Sequence, residues 1–175
     1  EIIQEMDKDV VKLRMVTERF SSIGSKPVIQ PENLYQVIEE TITYLRPRIS
    51  TKVDMFINSD SKDLDAMMNK PLFEWVIENI CKNAVDAMEG RGSITLQLSL
   101  LGKSYIALDI TDTGKGIPKA QFKKVFEPGF TTKKRGWGLG LTLVKRIVEE
   151  YHKGKVFVLR SEPEKGTTFR ISIPH

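Results

Sequence analysis

The sequence predicts an α+β fold: a two-layer α/β sandwich whose helices cover one face of a mostly antiparallel mixed sheet, plus an N-terminal helix. Two observations lead to this fold class. Segments 92–112 and 155–174 each contain two alternating strands joined by a short turn, as in a hairpin. Segments 33–47, 72–88 and 139–151 carry apolar residues at helical spacing. Helices that segregate onto one face of such a sheet form two layers.

The first 20 residues predict a helix that needs a partner helix. Its seam alternates spacings of three and four, the a/d pattern of a coiled coil or helical bundle: Ile3, Met6, Val10, Leu13, Thr17 and Phe20. Gly24 and Pro27 end this helix. We therefore expect a helical segment over 1–24, a linker over 25–32 and the main domain over 33–175.

The remaining elements follow in order. After the helix 33–47, which Pro47 stops, 53–58 is a predicted strand. An irregular stretch over 113–137 separates the two hairpins and contains one short predicted helix at 119–125. A loop of about 25 residues in a compact domain is usually a functional lid or disordered. Glycines at both of its ends favour a lid.

Composition excludes several classes of protein. With 40% hydrophobic and 29% charged residues in 175, the chain should be soluble and globular. A net charge of +4 is typical of a solvated surface, and we expect no nucleic-acid partner. A single cysteine, Cys81, excludes an internal disulfide and a multi-cysteine zinc site. No apolar run could span a membrane and no signal peptide is visible, while the start at Glu1 suggests a fragment.

The helix 72–88 carries a polar stripe beside its apolar arc. At about 100° per residue, Asn79, Lys82, Asn83 and Asp86 share one edge of the helix. Asparagine is unfavourable in a helix interior, so the stripe needs an explanation. Either the asparagines cap a neighbouring loop, or amide oxygens and a carboxylate face a cation or a phosphate chain. The helix alone leaves both interpretations open.

Two glycine-rich segments favour the second interpretation. Strand alternation places Asp112 on the helix-covered face, where a carboxylate needs a hydrogen-bond donor such as an adenine amine. Gly114 and Gly116 follow at once and permit a close backbone approach. The segment "GWGLGL" (136–141) runs into a helix, and such an N-terminus attracts phosphate. Each signal alone is weak.

Together, four segments in fixed order resemble the motifs of sensor histidine kinases. "ENICKNAVDAM", "DTGKGIP", "FEPGFTTKK" and "GWGLGL" are similar to the N box, the first glycine box, the F box and the second glycine box. The closing "GTTF" fits as well, and the nitrogen-regulator type of kinase is the most similar. The resemblance implies the Bergerat fold of the GHKL superfamily, ATP and Mg²⁺ as cofactors, and transfer of the γ-phosphate to a histidine.

The resemblance also implies roles for individual residues. Asn83 would coordinate Mg²⁺, Asp112 would accept the adenine amine, and Asn79 and Lys133 would serve catalysis. The implied nucleotide-binding residues are Asn79, Lys82, Asn83, Asp86, Asp112, Gly114, Gly116, Ile117, Phe130, Thr131, Thr132, Lys133, Gly136, Gly138, Leu139, Gly140, Leu141 and Thr167. Phe126 and Phe130 would anchor the lid.

The chain departs from a whole kinase at the phosphoacceptor. The two histidines, His152 and His175, lack the H-box context, and we expect both at the surface. Residues 1–24 resemble the second helix of the dimerisation hairpin, so the substrate histidine would precede this chain. The resemblance implies a homodimer through that helix, a response regulator partner, and no nucleic-acid or membrane contact by the fragment. It implies a bacterial cytoplasmic location and leaves open whether the parent is membrane-bound.

Other members of the superfamily provide the alternatives. ATP-driven clamps of the gyrase or MutL class and anti-sigma serine kinases place a glutamate four residues before the metal asparagine, as a base. Here that position is Asn79, and Glu78 points elsewhere by helical geometry. A degenerate kinase that binds ATP or a partner without transfer is the remaining alternative, although all four boxes are intact. The sequence favours transfer to histidine over transfer to water.

Overall fold

The computed structural model describes residues 26–133 and 138–175 and confirms the predicted α+β sandwich. The main sheet has five strands in the order β2-β4-β5-β7-β6. Their bounds are β2 Val53–Ser59, β4 Gly92–Leu101, β5 Tyr105–Asp112, β6 Lys155–Glu162 and β7 Gly166–Pro174. β2 runs parallel to β4 and the other neighbours are antiparallel, so the sheet is mixed as expected.

Among the described residues, three α-helices pack on one face of this sheet. They are α1 Leu34–Leu45, α2 Lys70–Ala87 and α3 Gly140–Arg146, and one π-helical turn over Ile147–Tyr151 extends α3. Asn33 and Asn69 begin α1 and α2, because each side-chain oxygen accepts the amide N–H three residues later. The helix predicted over 139–151 is therefore an α-helix of seven residues followed by a wider turn.

The core lies between the helices and the sheet. Alternating residues of β4 and β5, from Ile94 to Ile110, are buried against the apolar side of α2. Cys81 is part of this core, and burial raises the pKa of its thiol to about 12, so it is an unreactive packing residue. The opposite face of the sheet is mostly polar, although Phe56 and Phe157 are exposed on it, and Arg170 donates two hydrogen bonds of 2.7 Å to Asp109 there.

Two short strands were not predicted. β1 Gln30–Asn33 begins inside the expected linker and ends at the first residue of the expected main domain. It pairs antiparallel with β3 Asp65–Met68, which leads directly into α2. Within the expected lid, the predicted helix at 119–125 is two 3₁₀ turns, Lys119–Gln121 and Lys124–Phe126. The helix and seam predicted over 1–24 lie outside the described residues. In the part of the chain that the structure describes, no helix is both long and apolar enough to cross a membrane.

The prediction that His152 lies at the surface is wrong. Its side chain is 3% exposed, and its ring contacts Phe73 edge-on at a centroid distance of 5.6 Å. Both ring nitrogens bind backbone atoms, which compensates for burying them. His175 is exposed as expected, and its Nδ1 bonds the carbonyl oxygen of Asp65.

Candidate functional site

The polar stripe of α2 lies at the edge of the core, as predicted. Asn79 and Asn83 are half-buried, while Lys82 and Asp86 are exposed. The Asn79 amide nitrogen donates to the Trp75 carbonyl oxygen, one turn earlier, which fixes the side chain along the helix. The Lys82 ammonium lies 3.4 Å from the carboxylate of Glu78, which is not part of the stripe.

Lys133 reaches the stripe from the loop that precedes α3. Its ammonium donates to the Asn83 amide oxygen at 3.0 Å and forms an ion pair with Asp86. The two side chains of this ion pair are 40% and 55% exposed, so water screens their attraction. The structure thus brings together three residues that the sequence predicted for one site: Asn83, Asp86 and Lys133.

Asp112, at the end of β5, is buried as the strand alternation predicted. It is 4% exposed, and its Oδ1 accepts the backbone N–H of Gly114 at 2.8 Å and of Thr167 at 3.3 Å. Among the described residues no buried side-chain oxygen or nitrogen lacks a partner, and Oδ2 accepts no bond from them. Oδ2 therefore keeps some contact with solvent and is available to an N–H donor.

Burial raises the pKa of Asp112, and the two backbone hydrogen bonds, which favour the charged form, lower it in part. The net direction is upward, so the carboxylate is protonated at a higher pH than an exposed aspartate. The ionised carboxylate accepts a hydrogen bond from an amine more strongly than the neutral acid does.

Glycines around Asp112 allow three backbone segments to meet. A Cβ at Gly114 would lie 2.7 Å from the Ala87 carbonyl carbon and oxygen, at the end of α2. Gly116 and Gly166 have positive φ angles of 77° and 98°. A Cβ at Gly116 would overlap the Glu162 carbonyl oxygen, and one at Gly166 would overlap that of Asp112. Side chains are therefore excluded here by backbone atoms.

The site has two ends that meet at the last turn of α2. We call Asp112, Gly114, Gly166 and Thr167 the buried end, and Asn83, Asp86 and Lys133 the exposed end. Ala87, which directly follows Asp86, accepts a 3.0 Å hydrogen bond from the Lys115 amide and packs against Gly114. An extended ligand lying along this turn could contact both ends.

The N-terminus of α3 borders the stripe. A Cβ at Gly140 would lie 3.1 Å from the Asn79 amide oxygen, so the first turn of α3 faces Asn79 directly. Gly138 has φ +63°, and its carbonyl oxygen accepts the Gly129 amide, which joins the two sides of the expected lid. The Thr142 hydroxyl donates to the Phe126 carbonyl oxygen and attaches α3 to the same loop.

The other predicted residues occupy varied positions. Ile117 and Phe130 pack partly buried against the core, and the Ile117 amide donates to the Ser161 hydroxyl at 2.7 Å. Leu139 is exposed and Leu141 half-buried on α3. Thr131 and Thr132 are exposed, and the contacts with α2 from this segment are made by Lys133. The Thr131 hydroxyl accepts a hydrogen bond from the Lys133 amide. Gly136 lies outside the described residues.

Gly166 of the buried end and Ser161, which adjoins it, were not among the predicted site residues. Gly166 packs on the backbone of Asp112, and the Ser161 hydroxyl lies 2.8 Å from that of Thr167. A glycine at the turn into a predicted strand was the available signal for Gly166. Ser161 gave no local signal, because its partners lie on β7 and in the lid segment.

The exposed end suits a hard cation. Asn83 and Asp86 present oxygen atoms to the Lys133 ammonium, which is itself a cation in that position. Among the described residues, no group of three or more His, Cys, Asp or Glu could hold a metal. A magnesium ion here would be held by one or two oxygens of the chain together with ligand phosphates and water, its usual arrangement in phosphate sites.

Comparison with known proteins gives one matching family model and many relatives. Residues 68–175 match the family described as histidine kinase-, DNA gyrase B- and HSP90-like ATPase. The signal transduction histidine-protein kinase AtoS of Escherichia coli is 36% identical over 146 residues, 83% of this chain and 24% of AtoS. The nitrogen regulation protein NtrY of Azorhizobium caulinodans is 31% identical, over 91% of this chain and 21% of NtrY.

Solved structures agree with this assignment. The catalytic domain of histidine kinase ThkA, solved without nucleotide, superposes with a TM-score of 0.75 at 28% identity, covering 83% of this chain and 95% of that domain. Another ThkA structure, 23% identical over 96% of this chain and 48% of its own length, is a complex with the response regulator TrrA (TM-score 0.77).

The chain spans about a quarter or less of the length of the curated relatives named above. Its similarity to NtrY supports the nitrogen-regulator subtype loosely, since AtoS is at least as similar. The fold, the order of the motifs and the matched model agree on the superfamily that the sequence predicted. The chain belongs to the histidine kinase-, DNA gyrase B- and HSP90-like ATPases, and within them it resembles the ATP-binding catalytic domains of sensor histidine kinases.

Proposed function

We propose that this chain is the Mg·ATP-binding catalytic domain of a sensor histidine kinase. It would transfer the γ-phosphate to a histidine on the dimerisation hairpin of the parent protein, for relay to an aspartate of a response regulator. The observation that carries the proposal is the joining of the two ends at Ala87. A buried carboxylate that could accept a base adjoins, through this turn, exposed oxygens and an ammonium that could hold phosphates.

At the buried end, Asp112 would hold adenine. Its free Oδ2 would accept the six-amino group of adenine, whereas guanine presents an acceptor at that position, which the carboxylate would repel. Thr167 and Gly114 orient the carboxylate through their backbone N–H groups. Gly116 and Ile117 would continue this side of the pocket.

At the exposed end, Asn83 would hold Mg²⁺, which when bound neutralises phosphate charge and orients the oxygens. Asp86 and Asn79 would lie beside the phosphates and the ribose. Lys133 would leave Asn83 and Asp86 and contact the γ-phosphate, with Thr131 and Thr132 beside it. This exchange requires little energy, because an exposed ion pair contributes about 0–1 kcal/mol. Catalysis would consist of positioning and charge neutralisation.

The remaining predicted contacts are part of the same proposal. Gly136, Gly138, Leu139, Gly140 and Leu141 would border the phosphates from the N-terminus of α3. Lys82 points to Glu78 and would need a different rotamer to reach a phosphate.

A lid over 113–137, dimerisation through 1–24 and a cytoplasmic location stay predictions. The response regulator partner is supported by the ThkA complex, because the ThkA catalytic domain is 28% identical to this chain.

Asn79 favours a kinase over an ATP-driven clamp or a serine kinase. An amide cannot serve as a base, and here it bonds the Trp75 carbonyl oxygen and faces Gly140. Glu78, the neighbouring carboxylate, pairs with Lys82 instead. Water would therefore lack an activating carboxylate at the position that hydrolytic members of the superfamily use.

Labelling the intact parent protein with γ-labelled Mg·ATP tests the proposal. We expect an acid-labile phosphoprotein whose formation is abolished by Asn83→Ala and preserved by Asn58→Ala, an exposed asparagine of β2. Rapid phosphate release without a phosphoprotein would favour a clamp. Nucleotide binding without either product would indicate a degenerate kinase.

A further inference from the structure

Asn69, the residue that begins α2, binds three separate segments. Its side-chain oxygen accepts the Leu72 amide at 3.1 Å, which caps the helix. Its side-chain nitrogen donates to the Val28 carbonyl oxygen at 3.1 Å, in the segment that enters the domain. Its backbone N–H donates to His152 Nε2 at 3.0 Å. One residue thus connects the incoming chain, α2 and the segment after α3.

His152 completes the connection from the other side. Because Nε2 accepts the Asn69 N–H, the proton of the neutral ring is on Nδ1, which donates to the Ile147 carbonyl oxygen at 2.9 Å. The Ile147 carbonyl belongs to the π-helical turn that ends α3. The side chain is buried, so these two bonds replace hydrogen bonds to water and fix the ring.

The same two helices meet again at the candidate site. Gly140, at the start of α3, faces the Asn79 amide oxygen of α2. Asn69 and His152 therefore hold α2 and α3 at one end, and the predicted phosphate-binding residues lie along the rest of the contact. The incoming chain is fixed in the same unit, because β1 pairs with β3 immediately before Asn69.

We propose that Asn69 and His152 are positioning residues that hold the linker, α2 and α3 in one arrangement, so that the linker fixes how the site is presented to its phosphoacceptor. This inference rests on the proposed function for its reaction, and on the contacts above for its geometry. The functional bond is that between the Asn69 side-chain nitrogen and Val28. Losing it would leave nucleotide binding intact and misplace the site relative to the linker.

Asn69→Asp separates this bond from the helix cap. Aspartate caps a helix about as well as asparagine, but it has no N–H for the Val28 carbonyl. Asn33→Asp is the matched control, since Asn33 caps α1 and donates to the Lys62 carbonyl oxygen at 2.9 Å, in a loop that lies in neither the predicted site nor the segment before β1. Both variants lose one hydrogen bond of the same kind.

We expect Asn69→Asp to slow autophosphorylation of the intact parent protein by roughly twofold to tenfold, the loss expected for one hydrogen bond, with the Kd for ATP unchanged within about twofold. Amide hydrogen exchange over residues 28–33 of this chain should accelerate by a similar factor. Asn33→Asp should leave the transfer rate unchanged.

Unchanged transfer in Asn69→Asp, an equal loss in Asn33→Asp, or a parallel loss of ATP affinity would each overturn the inference. If the wild-type protein binds ATP but forms no phosphoprotein, the proposed function fails separately. The exchange measurement then decides the inference: exchange in Asn69→Asp that matches the wild type would overturn it, and faster exchange would uphold the linker bond.

Discussion

The buried end and the exposed end of the site are built in opposite ways although both adjoin the last turn of α2. At the buried end, one carboxylate oxygen accepts two backbone N–H groups, and glycines bring backbone atoms close together. At the exposed end, solvated side chains hold one another through a screened ion pair. The difference indicates that the buried end exists before a ligand arrives, whereas the exposed end rearranges around it.

The largest effect is expected from crowding the buried end. Gly166→Ala should lower the free energy of unfolding by about 3 kcal/mol or more, because its Cβ would overlap the Asp112 carbonyl oxygen at a positive φ. Gly102→Ala is the matched control, since it has φ +63° but no atom within 4 Å of the added Cβ, and should cost about 1 kcal/mol. Urea unfolding measures both. Equal losses would show that packing at Gly166 is loose.

The second-largest effect is expected from replacing the buried carboxylate of Asp112 with an amide. Asp112→Asn should weaken ATP binding by about tenfold to a hundredfold, the range for a hydrogen bond to a charged group. Asp109→Asn, on the opposite face of β5 and bonded to Arg170, should leave the affinity within about twofold. Calorimetric titration with ATP distinguishes them. ATP affinity in Asp112→Asn like that of the wild type would refute an adenine contact at Asp112.

The buried histidine predicts a smaller effect that depends on pH. Burial lowers the pKa of His152, and the bond from Nδ1 to the Ile147 carbonyl oxygen only partly offsets this. Between its lowered pKa and the ordinary value of about 6.5, the unfolded chain binds the extra proton. Stability is therefore full above about pH 6.5 and falls as pH decreases, by at most about 1.4 kcal/mol per pH unit.

The variant His152→Phe keeps a ring against Phe73 and removes the titrating group. It should be less stable than the wild type at pH 7.5, and the difference should shrink between about pH 6.5 and pH 5 because the wild type alone loses this contribution. Melting temperatures across this range test the prediction. If the difference in melting temperature between the variant and the wild type stays constant with pH, His152 binds protons equally in the folded and unfolded states, and the prediction is wrong.

The smallest effect is expected at the exposed end. Lys133→Met should change the free energy of unfolding by no more than about 1 kcal/mol, since the ion pair with Asp86 is exposed. Removing the ammonium also removes the proposed contact with the γ-phosphate, so ATP should bind more weakly, by up to about fivefold. Lys70→Met is the control, because it removes a comparably exposed ion pair with Glu40 outside the candidate site. ATP affinity in Lys133→Met equal to that of the wild type would contradict the proposed contact.

The elements that local patterns specify were predictable, and those that need distant partners were not. The alternation of β4 and β5 correctly placed Asp112 on the helix-covered face. β1 and β3 have only four residues each, and β1 includes Pro31, so neither segment shows a clear strand pattern in the sequence. Each strand forms because the other is present.

The same limit applies to the site. The stripe on α2 followed from helical periodicity, but the contact of Lys133 with Asp86 joins residues 47 apart. His152 was assigned to the surface because a histidine at a helix end usually is solvated, whereas its partner Asn69 lies 83 residues earlier. Burial by a distant segment leaves no local signature in the sequence.

Amide hydrogen exchange of the site, with and without a non-hydrolysable Mg·ATP analogue, is the most direct test of the difference between the two ends. It shows whether the buried end is already formed before nucleotide binds and whether the exposed end rearranges on binding. We predict that the Gly114 and Thr167 amides, which donate to Asp112, exchange slowly already in the free protein and change little on binding. The amides of 131–133 should become protected with the analogue. Fast exchange of Gly114 and Thr167 in the free protein, slowed by nucleotide, would contradict the account.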